Sequence, residues 1–173
     1  MNFLNKKEQK LSFEFIKKGY LINKVESKSS LNYINKVFSK SVNSILRKKV
    51  RDLNYLHKHL SIKDLNNFRV ELIYKINKDK EFRYHYFKLG NSSLYTIAGN
   101  ELMMQNKINL SIQFPNDNSS LLPIHSDVWQ GDSPYELVLW IPLVDCEKSK
   151  SMYTIDIKTT SNSLNKLSKN PRK

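Results

Sequence analysis

Near residue 94 the hydrophobic pattern of this sequence changes period, and that change limits the folds open to it. Upstream, apolar residues recur every three or four positions. Leu31, Ile34, Val37, Phe38, Val42, Ile45 and Leu46 form one stripe, which predicts an amphipathic helix over residues 31–48 with Ser29 or Ser30 as its N-cap. Leu65, Phe68, Val70, Leu72, Ile73 and Ile76 continue the pattern in a second helical block. It starts near Ser61, where Ser61 and Asp64 resemble a capping box with Asp in place of Glu or Gln. Residues 81–89 predict a short helix stopped by Gly90. Nearer the N-terminus, the reading is a short helix, a break at Gly19 and a strand over residues 20–25, where aromatic and β-branched side chains gather.

Downstream the period drops to two. Ile108, Leu110, Ile112 and Phe114 alternate with Asn109, Ser111 and Gln113, which predicts a strand with one apolar and one polar face. Residues 115–120 read as a loop, 124–129 as a strand, 130–134 as a turn, and 135–144 as a near-continuous apolar strand. Helices first and antiparallel strands second make an α+β chain whose second half begins a barrel or sandwich. Residues 1–155 are expected to form a single domain, helical over 10–90 and β-rich over 91–155, followed by a polar, weakly ordered tail at 156–173. No internal repeat is present.

Composition removes several classes of function. One cysteine, Cys146, excludes an internal disulfide and a cysteine-based zinc cluster. It fits a reducing compartment, and its place at the end of an apolar strand predicts a buried, inert thiol. No stretch has the length and apolarity of a signal peptide or a membrane span, so the expectation is a cytoplasmic protein without membrane contact. The formal charge of +13 invites a nucleic-acid reading. The lysines are spread from Lys6 to Lys173, however, and no helix-turn-helix, RNA-recognition or zinc-finger signature accompanies them. No specific nucleic-acid partner is therefore expected.

The sharpest local feature is His125-Ser126-Asp127. On a strand, residues i and i+2 share a face, so the imidazole and the carboxylate can converge on one metal while Ser126 points away. Two histidines and a carboxylate on one octahedral face hold Fe(II) in non-haem oxygenases. The pair is equally compatible with a surface strand whose His and Asp hydrogen-bond to each other.

Residues 100–115 and 121–145 resemble, in that order, the pre-motif strand and the core of the Fe(II)/2-oxoglutarate-dependent oxygenases of the phytanoyl-CoA hydroxylase type. The core carries Leu122-Pro-Ile-His-Ser-Asp-Val-Trp129 and, after a Gly-Asp-Ser-Pro turn, Leu137-Val-Leu-Trp-Ile-Pro142. The nearest likeness is to the branch found in sporadically distributed carbohydrate-biosynthesis clusters. It extends over residues 100–153, with a vaguer match at residues 15–25. The resemblance implies a double-stranded β-helix, a jelly-roll or cupin-like barrel, with helices packed outside. It further implies Fe(II) and 2-oxoglutarate as cofactors, His125 and Asp127 as metal ligands, and hydroxylation of a small, carbohydrate-related substrate. By the same resemblance Trp140 lines the co-substrate pocket, and Gln113 and Asn109 can hydrogen-bond the co-substrate. Packing in a core for Trp140, and satisfaction of a backbone group for Gln113, remain open alternatives.

The sequence departs from that pattern in its second half. No histidine follows His125, and the only later arginine is Arg172. The distal ligand and the cation for the far carboxylate of 2-oxoglutarate are therefore missing. His57, His59 and His85 lie in the helical half, and the spacing of the first two puts them on different helix faces. The expectation is an incomplete barrel in a truncated or frameshifted copy, with weak or absent activity. The alternatives are a non-catalytic remnant or interaction module that self-associates through exposed strand edges, and a basic nucleic-acid-binding protein.

Overall fold

The computed structural model of the chain describes residues 3–118, 125–155 and 157–161. Among the described residues five α-helices of six residues or more are present: α1 (Lys6–Lys18), α2 (Lys28–Leu46), α3 (Leu65–Lys78), α4 (Phe82–Phe87) and α5 (Asn91–Ala98). Short 3-10 turns occupy Leu53–Lys58, Ile62–Asp64, Asp127–Gln130 and Lys148–Lys150. The chain forms two compact units. The first comprises Met1–Glu26, Asn91–Met103 and Cys146–Lys173, and the second Ser27–Gly90 and Met104–Asp145.

In the second unit α2 packs on α3 and α4. Ile34, Phe38 and Val42 of α2 meet Leu65, Phe68, Leu72 and Ile76 of α3 and Phe82 of α4 in the buried core. α2 and α3 bury the stripes that their sequences mark at three- and four-residue spacing, except Val70, which is 59% exposed because it lies on the opposite face of α3 from Leu65, Phe68, Leu72 and Ile76. Ser27 caps α2 by accepting the Ser30 N–H at 3.2 Å, two residues ahead of the expected Ser29. Ser61 caps the 3-10 turn that leads into α3.

Among the described residues there is no strand, sheet or barrel, which overturns the α+β expectation and the double-stranded β-helix with it. The strands expected over 20–25, 108–114 and 135–144 are absent as hydrogen-bonded elements. A strand exists only as part of a ladder, since its backbone groups need a neighbouring backbone. Here the neighbours are side chains of helices and turns. Asn77 of α3 accepts the Ile108 N–H at 2.7 Å and donates its amide to the Ile108 carbonyl at 3.0 Å. Arg83 of α4 donates to the Met104 carbonyl at 2.9 Å, and the Tyr86 hydroxyl to the Leu139 carbonyl at 2.5 Å. Asn54 accepts the Asp145 N–H and donates to its carboxylate, each at 3.0 Å. Four clamps thus hold the second half of the sequence against the helices.

The period of two survives without the ladder. Ile108 and Phe114 are buried and Leu110 and Ile112 half-buried, while Asn109, Ser111 and Gln113 are exposed. Leu137, Leu139, Ile141 and Leu143 are half-buried, and Val138, Trp140 and Val144 exposed. Pro115 and Asn116 close a turn between them, with the Asp117 N–H donating to the Phe114 carbonyl at 3.2 Å and Asn116 at φ 60°. Proline at the second position and a left-handed asparagine at the third are the chemistry of a type II turn.

In the first unit α1 packs on α5. Asn5 and Glu8 form a reciprocal capping box at the start of α1. Gly19 closes α1 at φ 82°, as its sequence position predicts, and a Cβ there would come within 3.0 Å of Ile157. Glu26 caps α5 from outside the helix. Its carboxylate accepts the Ser92 N–H at 2.8 Å and the Ser93 N–H at 3.1 Å. Cys146 is exposed, which corrects the expectation of a buried thiol: with no strand at 135–144 there is no sheet to cover it. Of the expected tail at 156–173, only residues 157–161 are described, and they are helical.

Candidate functional site

His125 and Asp127 belong to the second unit, in the segment that leads to the 3-10 turn Asp127–Gln130. Ser126 between them is extended, at φ −126° and ψ 137°. One extended residue is enough to send its two neighbours to the same side. His125 Nε2 lies 3.6 Å from Asp127 Oδ1. Beyond Asp127 the backbone turns. The Trp129 N–H donates to the Ser126 carbonyl at 2.9 Å, and Gly131 at φ 100° lets the Asp132 N–H reach the Asp127 carbonyl at 3.2 Å. The strand expected over 124–129 is therefore replaced from Asp127 onward by a closed turn, and Ile124 lies outside the described residues. Gly131 permits this closure because a left-handed residue carries no penalty there without a Cβ.

A separation of 3.6 Å is too long for a hydrogen bond, so the imidazole and the carboxylate do not satisfy each other. Two ligands at right angles on an octahedral metal, each about 2.1 Å away, stand about 3 Å apart. Both are open to solvent, with 33% of the His125 side chain and 53% of the Asp127 side chain exposed. They fit a divalent metal as two ligands of a larger set. Among the described residues no group of three or more His, Cys, Asp or Glu side chains is placed to hold a metal.

The other expected site residues stand on the alternating segments on either side of this pair in sequence. Asn109 and Gln113 share the exposed side of their segment, as the alternation requires. Trp140 is 44% exposed, opposite half-buried Leu139 and Ile141. Among the described residues Asn109 and Trp140 have no hydrogen bond, ring contact or ion pair with His125 or Asp127.

Of the remaining histidines, His57 and His85 pack their rings and His59 is held through its backbone. His57 meets Phe114 edge-on with ring centroids 6.4 Å apart. The His59 carbonyl accepts Lys48 Nζ at 2.9 Å. His85 stacks on Tyr33 at 4.0 Å, and its Nδ1 lies 3.1 Å from the buried Ser30 hydroxyl. Tyr33 in turn donates to both Asp79 carboxylate oxygens, at 2.9 and 3.1 Å. That bond holds the phenolic proton and raises the Tyr33 pKa above its ordinary 10.0. Sequence reading missed this Ser30–His85–Tyr33–Asp79 group, because its members come from α2, α4 and the end of α3 and no local spacing joins them. Ser30 is 3% exposed and also accepts from Ser27 Oγ at 2.9 Å, so its hydroxyl ties α2 to α4 and is closed to a substrate.

Compared with known protein families, curated proteins and solved structures, the chain matches none of them.

Proposed function

We propose that this chain is a relative of the Fe(II)/2-oxoglutarate-dependent oxygenases in which His125 and Asp127 form a weak two-ligand site for divalent iron. By itself it does not couple 2-oxoglutarate turnover to hydroxylation of a small, carbohydrate-related substrate. The observation that supports the reading is the 3.6 Å approach of His125 Nε2 to Asp127 Oδ1 across an extended Ser126, inside the segment that carries the family resemblance. Iron, when bound, would supply the Lewis acidity and redox chemistry of that family. The chain's own contribution is one imidazole, one carboxylate and a turn at Asp127–Gln130 that fixes where the carboxylate stands. Among the described residues no third His, Cys, Asp or Glu joins the pair, so no catalytic step is assigned to it.

An anaerobic Fe(II) titration tests the site. Loss of either ligand is expected to weaken binding at least about tenfold, or ~1.4 kcal/mol, in His125→Ala and in Asp127→Ala. Unchanged affinity in both variants would remove the proposal. Aerobic incubation with 2-oxoglutarate is expected to give no succinate above a protein-free control. Robust succinate that disappears in His125→Ala would show that the chain is catalytically competent after all.

A second reading, an interaction module, draws on a separate observation. Among the described residues no partner is found for the backbone N–H groups over residues 137–144, where Pro142 has none to offer. Val138, Trp140 and Val144 are exposed along the same stretch. The occupant that fits such a segment is the same segment of a second copy, paired antiparallel.

A further inference from the structure

The chain's charge looks scattered in sequence, but the second unit gathers part of it at the C-terminal end of α2. Between residues 47 and 64 six Lys and Arg stand against two Asp. The helix stops at Arg47, which is left-handed at φ 52°, and the turn beyond it exposes Lys48, Lys49 and Arg51. Lys48 Nζ donates to the His59 carbonyl at 2.9 Å, which fastens the 3-10 turn Leu53–Lys58, with exposed Lys58, beside that helix end. Lys63 is exposed in the following turn. Lys58 Nζ lies 4.4 Å from the centre of the Tyr55 ring, and Tyr55 is 50% exposed.

A third acid, Asp145, also reaches this turn, where its carboxylate accepts the Asn54 amide at 3.0 Å, but among the described residues none of the three acids pairs with a cation of the cluster. Asp52 accepts the Asn54 N–H at 2.9 Å and its amide at 3.0 Å, and Asp64 accepts the Ser61 hydroxyl at 2.6 Å. Asp52 is thereby the cap of the 3-10 turn, and Asp64 is held by the Ser61 side chain. Among the described residues none of the six cations makes an ion pair. The α2 dipole presents only about half a negative charge at its C-terminus, so it offsets a small part of the total.

We propose that this surface, Arg47, Lys48, Lys49, Arg51, Lys58 and Lys63 around Tyr55, binds the phosphodiester backbone of single-stranded nucleic acid. Exposed cations with no acidic partner release counterions from phosphates when they bind. An exposed tyrosine among them offers a ring on which a base can stack, whatever the sequence. An anionic bilayer fits less well, because Ile62 is the one large aliphatic side chain exposed in this stretch among the described residues. The surface is independent of the His125–Asp127 pair.

Fluorescence anisotropy of a labelled oligothymidylate of about 20 nucleotides, longer than the roughly 4–16 that a small domain covers, tests the proposal on the full chain. The variant Arg47→Gln/Lys49→Gln/Arg51→Gln/Lys63→Gln is compared with Lys6→Gln/Lys7→Gln/Lys10→Gln/Lys17→Gln, which removes the same charge from α1. The first is expected to lose at least about tenfold in affinity at low salt. Its salt slope should fall by about 0.7 for each phosphate contact removed. The second should change affinity by less than about twofold. Equal losses in the two variants, no loss in the first, or binding to phosphatidylserine vesicles with none to the oligonucleotide would each overturn it. Should the quadruple variant lose its helical circular dichroism, Lys49→Gln/Lys63→Gln is read the same way. A slope unchanged in that pair overturns the proposal, and a slope reduced by about half as much supports it.

Discussion

Asn77 sits on a helix yet takes the place of a strand neighbour. Its carboxamide presents an acceptor and a donor side by side, the same pair that a backbone offers across a ladder, and both are engaged by Ile108. A third bond, from Asn77 Nδ2 to the Ile73 carbonyl at 2.7 Å, holds the amide in that orientation. Ile108 is 6% exposed, so removing the amide leaves buried backbone groups without a partner. Asn77→Ala should therefore cost about 1–3 kcal/mol, read as a lower urea midpoint at constant slope. Asn77→Asp keeps the acceptor for the Ile108 N–H and should fall between the two. A midpoint unmoved by Asn77→Ala would mean that the apolar contacts of Ile108 alone hold the segment.

Among the elements, α5 depends most visibly on a residue outside itself. It is a short helix with no acidic residue in its first turn, and Glu26 supplies the negative charge there. Burial opposes the charge on Glu26, but the N–H and hydroxyl donors of Ser92 and Ser93 outweigh it and hold the carboxyl below its ordinary 4.5. A folded pKa below the unfolded one gives stability that is present above the unfolded value and lost as pH falls through the folded one. The first unit should therefore weaken as pH drops below about 4.5, by an amount that solvent screening keeps small. Thermal midpoints of the native chain and of Glu26→Gln, measured from pH 7 to pH 3, should converge at the acid end. Curves that stay parallel throughout would assign no part of the acid sensitivity to this cap.

At the scale of the whole molecule, the consequential feature is that the second half of the sequence reads as strands and, among the described residues, has no strands to pair with. The exposed positions of residues 137–144 include Trp140 and Val138, beside backbone donors without partners. Unpaired, apolar and extended chain is the usual template for edge-to-edge association. Light scattering should show mass rising with concentration. A lysine at Val138, on the exposed side and 66% accessible, should suppress the rise without loss of helical signal. A monomer at all concentrations would remove the self-association reading and leave mutual repulsion of the positive charge to govern how copies meet.

The helices are legible in the sequence because burial on a helix leaves a period that one segment carries alone. The stripes of α2 and α3, the stop at Gly19 and the turn at Pro115–Asn116 all follow from residues within a few positions of each other. The same holds for His125 and Asp127, where a spacing of two and one extended residue put both on one side. The alternation over residues 108–114 is also legible as a buried and an exposed face, but not as a sheet. Alternation records only that one side of a segment is covered. Whether the cover is a sheet or a helix, and whether the backbone meets another backbone or the amide of Asn77, depends on residues far away in sequence. Tertiary structure alone decided that, as it decided the grouping of Lys48 with His59 and of Ser30 with His85. The physical reason is common to all three: a hydrogen bond between distant segments leaves no periodic trace in either one.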